Sequence, residues 1–310
     1  MNNLAQNFHN ELRHISALPF DQQEAVCNSL QFLLEDYVKK FASASIKTYQ
    51  ILFSALRDIA GFYSSDKTVL EIGPGFNLGV LFLAALGGAR KAIGVDCFTH
   101  DMGPEHDFIM SMYSSIMKDP TVPIINDNLW NTERLTDEFA KIIQKDNYGK
   151  YAFKKDRIEF LHPYSADKLP VPDSSIDLVI TSAAFEHFLN PADVVKELFR
   201  ISSRGGISCH AIDMRDHRDF TKPLEFLTIN ENEWDEINRR SLGYSSTNRL
   251  RPKQIISLFN SAGFDLDGVK PLISLRPDSE LSSRFVEPFK SMPENELFTL
   301  VQIFIFRKAR

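Results

Sequence analysis

The rhythm of apolar positions in this chain changes at residue 67. Before it, Val26, Leu30, Leu33, Leu34 and Tyr37 recur at helical spacing behind Asp21 and Glu24, a capping-box-like start. A second helix is predicted over about 44–60, closed by Gly61, and no proline interrupts either one. After residue 67, short β-branched runs alternate with helical stretches. Strands are predicted over 68–72, 91–95, 157–161, 176–181, 206–211 and 298–306, with helices over 78–86, 192–201 and 251–262. Repeated β-α-β units of this kind build a doubly wound, mostly parallel sheet, a Rossmann-like α/β fold.

Two stretches are too long to be simple connections. Residues 98–156, with helical patterns near 107–117 and 135–144, and residues 213–247 both follow predicted strands. Excess chain at the carboxyl ends of parallel strands is where such folds build substrate sites, so both are expected to act as lids. The organisation expected is a helical extension over 1–66 and one domain over 67–310 carrying these insertions. No repeat or low-complexity tract interrupts it.

The most informative chemistry follows the first strand. Thr68-Val-Leu-Glu71-Ile-Gly73-Pro-Gly75 is a buried-strand run ending in two glycines, and Leu78–Leu86 after it is apolar nearly all round. Strand, glycine turn and helix cradle a nucleotide-like ligand, because the peptide groups are open to close approach. Asp96 closes the second strand about twenty residues on, placed to accept from both ribose hydroxyls of either a dinucleotide or an adenosyl cofactor. The dinucleotide fingerprint wants a further glycine three places after Gly75, where Leu78 stands. After the third strand, Ala166-Asp167 leads into Leu169-Pro-Val-Pro-Asp-Ser-Ser-Ile-Asp-Leu-Val179, and a carboxylate there can accept from the exocyclic amine of adenine.

With Leu70-Glu-Ile-Gly-Pro-Gly75, Asp96, Ala166-Asp167, the Leu169–Val179 run and Phe185-Glu186-His187, the chain resembles class I S-adenosylmethionine-dependent methyltransferases. The likeness is to the broad group that includes the ubiquinone and menaquinone biosynthesis enzymes, and it covers about residues 67–212. It implies a sheet with an antiparallel C-terminal strand and S-adenosylmethionine as cofactor. It also implies that Glu71, Gly73 and Gly75 border the methionine portion, Asp96 the ribose, and Ala166 and Asp167 the adenine. Asn77 stands where relatives often have a third glycine; asparagine tolerates left-handed geometry and could donate to the cofactor carboxylate.

Catalytic groups are expected beyond the fourth and fifth strands. His187 is a candidate base near the methyl group. Asp213 and His217 are spaced to pair as a carboxylate–imidazole couple in the densest ionisable cluster of the chain. With His210 they could also ligate a divalent ion, although no metal site is assigned. Asn248, Arg249 and Arg251, ahead of a helix N-terminus, could hold an anionic acceptor group; the competing role for such arginines is a clamp on nearby carbonyls. The Ile212–His217 and Asn248–Pro252 stretches carry a shorter resemblance to methyltransferases of polysaccharide and specialised-metabolite clusters.

Composition narrows the alternatives. Net charge is −6, which disfavours a nucleic-acid partner, and Arg239, Arg240, Arg249 and Arg251 are the obvious recruits for a basic stripe. Twenty-five phenylalanines favour a thick aromatic core or an apolar pocket. Cys27, Cys97 and Cys209 form no metal spacing, and with no signal-like N-terminus and no membrane-spanning run the expected location is cytoplasmic. The expected function is methyl transfer to a small-molecule hydroxyl or amine, first a sugar or glycan precursor. The rivals are an NAD(P)-dependent oxidoreductase and a non-catalytic protein that keeps the cofactor fold for interaction.

Overall fold

The computed structural model describes residues 20–75, 77–98, 105–118, 132–240, 246–276 and 278–309, with side chains from residue 40 onward. One continuous helix, α1 (Phe20–Ala60), replaces the two expected, because nothing over 20–60 breaks it: no glycine and no proline lies in that span. The capping pair Asp21 and Glu24 lies outside the described side chains. The chain continues through β1 (Thr68–Ile72), α2 (Gly79–Leu86), β2 (Lys91–Val95), α3 (Glu105–Lys118), α4 (Thr132–Ile142), β3 (Ile143–Lys145), β4 (Tyr151–Phe153) and β5 (Ile158–Leu161). It then runs through β6 (Ile176–Ser182), α5 (Pro191–Ile201), β7 (Ser202–Asp213), α6 (Glu231–Arg240), α7 (Pro252–Ser261) and β8 (Phe264–Ser274). Two short helices, α8 (Ser279–Ser283) and α9 (Glu294–Leu297), lead into β9 (Thr299–Lys308).

The seven-stranded sheet has the order β5-β2-β1-β6-β7-β9-β8. β5, β2, β1, β6 and β7 are mutually parallel, and β9 runs antiparallel to both β7 and β8. Strand residues alternate between two cores. Val69, Leu178, Ile180, Cys209 and Ile305 join α1 and α2 on one face, while Leu70, Val179, Phe304 and Phe306 join α5 and α7 on the other. The second face holds much of the phenylalanine; the rings of Phe259 and Phe306 stack at 4.0 Å.

The insertion after β2 is core rather than cover in its described part. Phe108, Ile109 and Met112 of α3, Leu135 of α4 and Phe153 of β4 pack into the same cluster as α1. The second insertion joins the segment before β9 in a separate small core, where Phe226, Leu227 and Trp234 meet Phe285, Phe289 and Phe298. Among the described residues, no helix is long and apolar enough to cross a membrane.

Candidate functional site

The order of the sheet reverses between β1 and β6, and a crevice opens beyond the carboxyl ends of strands at such a point. β1 leaves the sheet through Gly73 and Gly75, both left-handed at φ 72° and 70°. A Cβ on Gly73 would stand 2.9 Å from the Cβ of Ala184, whereas nothing lies within 4 Å of the same position on Gly75. The cavity in front of this turn has a volume of about 350 Å³. Asp96, buried at the end of β2, lines it, and its Oδ1 accepts from the Phe98 amide at 2.9 Å. Ala166 is buried in the wall and Asp167 is exposed beside it.

Two residues expected with them stand elsewhere. Glu71 is buried on the strand face it shares with Val69, outside the cavity wall, and burial pushes its carboxyl up to about 8. Asn77 does not adopt a left-handed conformation and is also absent from the wall. Its Oδ1 accepts from the Gly79 amide at 2.9 Å and from Ser45 Oγ of α1 at 2.8 Å, holding the glycine turn against the first helix.

The opposite wall comes from the end of β6. Ala183 is held at φ 51°, and a single 3₁₀ turn over Phe185–His187 follows. His187 faces the cavity, and its Nδ1 is 2.8 Å from the carbonyl oxygen of Ser246. A carbonyl can only accept, so Nδ1 carries the proton and Nε2 the lone pair. Burial lowers the pKa of this imidazole, with the Ser246 bond opposing, which favours the neutral ring.

His217 packs against it, the two rings 5.0 Å apart, and Asp213 Oδ2 lies 3.7 Å from His217 Nε2. The expected couple is therefore present in a loose form. The principal partner of Asp213 is Arg215, whose Nε donates to Oδ1 at 2.8 Å. Burial pushes Asp213 up, but Arg215 and His217 outweigh it and hold the carboxyl at about 2. Neither Asp213 nor His217 lines the cavity; His187 does.

Beside these groups the structure adds Glu186, which sequence reasoning passed over. It is 2% exposed, neither carboxylate oxygen has a hydrogen-bond partner, and burial pushes its pKa up to about 8. The available signal was its adjacency to His187 directly after a parallel strand.

Four expectations are corrected. His210 is not part of the cluster; it is fully buried, hydrogen-bonded to Thr181 Oγ1 at 2.9 Å and Ser208 Oγ at 2.6 Å, and burial lowers its pKa to about 3. Asn248 is a brace, its Nδ2 donating to the carbonyls of Phe185 at 2.9 Å and Phe188 at 3.2 Å. Arg249 donates to the carbonyls of Phe226 and Ile229 and pairs with Glu231. Arg251, 0% exposed, donates to the carbonyls of Met214, Glu296, Leu297 and Thr299. Both arginines are carbonyl clamps and neither reaches the cavity.

Residues 134–209, from α4 through β5 and β6 into β7, match the family described as a methyltransferase domain. Over that span the chain is similar to methyltransferase domains. The matched span includes the Asp167 side of the cavity and His187, and the glycine turn lies ahead of it. No curated protein matches the sequence.

Among solved structures, an S-adenosylmethionine dependent methyltransferase from Mesorhizobium loti is 13% identical. It covers 82% of this chain and 98% of its own, with a TM-score of 0.44. A phosphoethanolamine N-methyltransferase 2 from Haemonchus contortus, in complex with phosphomonomethylethanolamine and S-adenosylhomocysteine, is 14% identical. It covers 83% of this chain and 53% of its own, with a TM-score of 0.43. The [4+2]-cyclase SpnF is 12% identical, covering 84% of this chain and 80% of its own at a TM-score of 0.43.

Proposed function

We propose that this chain is an S-adenosylmethionine-dependent methyltransferase that transfers the methyl group to a hydroxyl or amine of a small molecule, with a sugar or glycan precursor the first class to test. The supporting observation is His187 on the wall of the same cavity as Gly73, Asp96 and Asp167, with its Nδ1 bonded to the Ser246 carbonyl so that Nε2 carries the lone pair. The chain's residues suit the cofactor. The open side of Gly75 admits a ligand to the backbone, and Asp96 is a buried carboxylate on the wall, a natural acceptor for two ribose hydroxyls. Asp167, at the exposed margin, is assigned to the adenine amine, and Ala166 to the apolar surface beneath the base. Asn77 acts by fixing the turn, since its oxygen is occupied by Ser45 and Gly79.

Once bound, S-adenosylmethionine supplies an electrophilic methyl on sulfur; the protein's tasks are to orient the acceptor, exclude water and accommodate the acceptor's proton. Phe188, Leu189 and Val194 give the wall beside His187 an apolar character that limits water. Glu186, His187 and His217 form the group assigned to the acceptor's proton, with Asp213 and Arg215 fixed behind them. The buried Cys209 and the exposed Cys97, both free thiols, suit a reducing compartment, in keeping with a cytoplasmic location.

Calorimetry with S-adenosylhomocysteine, followed by a labelled-methyl screen across sugars, amines and quinols, tests the proposal. Saturable binding is expected, with label passing to a hydroxylated or amino acceptor and lost in His187→Ala. If S-adenosylhomocysteine gives no heat while NADH saturates the cavity, the assignment fails.

A further inference from the structure

We infer that Glu186, His187 and His217 form a binding site for one divalent transition-metal ion at the wall of the cavity. One carboxylate oxygen and one nitrogen from each ring lie within 4.8 Å of one another. Ligand atoms each about 2.1 Å from a common zinc-like ion sit about 3.4 Å apart, so the three side chains need to close by no more than about 1.4 Å.

A second observation, independent of that spacing, is the state of Glu186. Its carboxyl is 2% exposed and neither oxygen has a hydrogen-bond partner. Burying a carboxyl in this condition is costly, and buried carboxylates are normally paired or bound to a metal. The surrounding groups do not complete it. The backbone amides of Glu186 and Asp213 face the carboxyl without reaching hydrogen-bond geometry, Asp213 repels it, and the Arg215 guanidinium is committed to Asp213. The two imidazoles lie within 4.8 Å of the carboxyl, and a cation among the three would give the Glu186 carboxylate its counter-charge.

The supporting contacts are those that metal-binding histidines use. His187 Nδ1 donates to the Ser246 carbonyl, which orients the ring and leaves Nε2 as its ligand atom. Asp213, itself fixed by Arg215, lies beside His217. Two imidazoles and one carboxylate suit zinc, iron(II), cobalt or nickel better than magnesium or calcium, which favour all-oxygen sites. Three protein ligands leave coordination positions open. Because His187 lines the cavity, an acceptor hydroxyl could take one of them, and bound there it loses its proton to water more readily. This catalytic meaning rests on the methyl-transfer proposal; the ion binding itself does not.

The test uses the full chain freed of metal with a chelator and then titrated with Co²⁺, followed by its visible absorption, and with Zn²⁺ by calorimetry. One ion per chain is expected. Glu186→Gln and His217→Gln should each weaken binding at least about tenfold, while S-adenosylhomocysteine affinity in both variants stays unchanged. If one variant loses its far-ultraviolet dichroism, the other decides. Failure of the wild type to bind one equivalent, or wild-type affinity in the folded variants, overturns the site. If Co²⁺ binds as expected but S-adenosylhomocysteine does not, the metal site stands and the methyl-transfer assignment falls.

Discussion

His187 donates its Nδ1 proton to the carbonyl oxygen of Ser246, 2.8 Å away, and this bond ties the turn after β6 to the segment entering α7. Asn248 reinforces the tie. Its amide donates to the Glu186 carbonyl at 2.8 Å and its side chain spans the carbonyls of Phe185 and Phe188. The direction in which His187 points is therefore set by residues about sixty positions further along the chain.

Replacing Asn248 by Ala removes two donated bonds from that turn. A loss of about 1–3 kcal/mol in stability is expected by denaturant unfolding. Methyl-transfer turnover should fall while S-adenosylhomocysteine affinity holds. An equal loss in both would place Asn248 on the cofactor side instead.

Gly73→Ala should abolish cofactor binding without unfolding the chain. The new methyl meets Ala184 Cβ at 2.9 Å in a left-handed conformation that alanine adopts at a cost of about 1–2 kcal/mol. The turn must shift, and the turn lines the cavity on the side assigned above to the cofactor. Calorimetry decides this, and wild-type affinity in the variant would remove the turn from the site.

Glu71 gives the chain a pH dependence with a definite sign. The folded state keeps its proton up to about 8, against an ordinary value of 4.5, so folding takes up a proton between the two. Stability from this group is complete below pH 4.5 and is lost as pH rises through about 8. Glu71→Gln should raise the melting temperature of the cofactor-free protein at pH 8 and leave it nearly unchanged at pH 4. A variant less stable than wild type at pH 8 contradicts this.

Arg251→Met should be among the most damaging single changes. It leaves the carbonyls of Met214, Glu296, Leu297 and Thr299 without their shared donor. A cost of about 3–5 kcal/mol is expected in urea unfolding. A cost confined to substrate KM, with stability intact, would instead support an anion-binding role.

The strands nearest the cavity were legible because buried parallel strands are short apolar runs between punctuation: 68–72 and 91–95 agree with the structure residue for residue. β8 was not, since Gly268 and Pro271 interrupt its pattern, and an edge strand tolerates both. The hairpin of β3 and β4 is too short to show a period. On the site, Gly73, Asp96, Asp167 and His187 fall on one cavity because each follows a strand end, which sequence order alone defines. His210 was misplaced despite an available signal. Alternation along β7 sends Ile207, Cys209 and Ala211 to one face and His210 with Ile212 to the other, opposite to Asp213. The two arginines could not be settled from sequence, because a clamp and an anion site use the same residue at the same spacing and differ only in where the side chain turns.

Ser45 of α1 occupies the space beside Gly79 and bonds to Asn77, at the threshold of the glycine turn. The first helix is thus wired into the cavity edge of the sheet rather than appended to its back. A protein trimmed to begin at β1 would lose both a wall of its interior and the latch on its glycine turn, and anything that pulled on this helix from outside would be felt at the crevice.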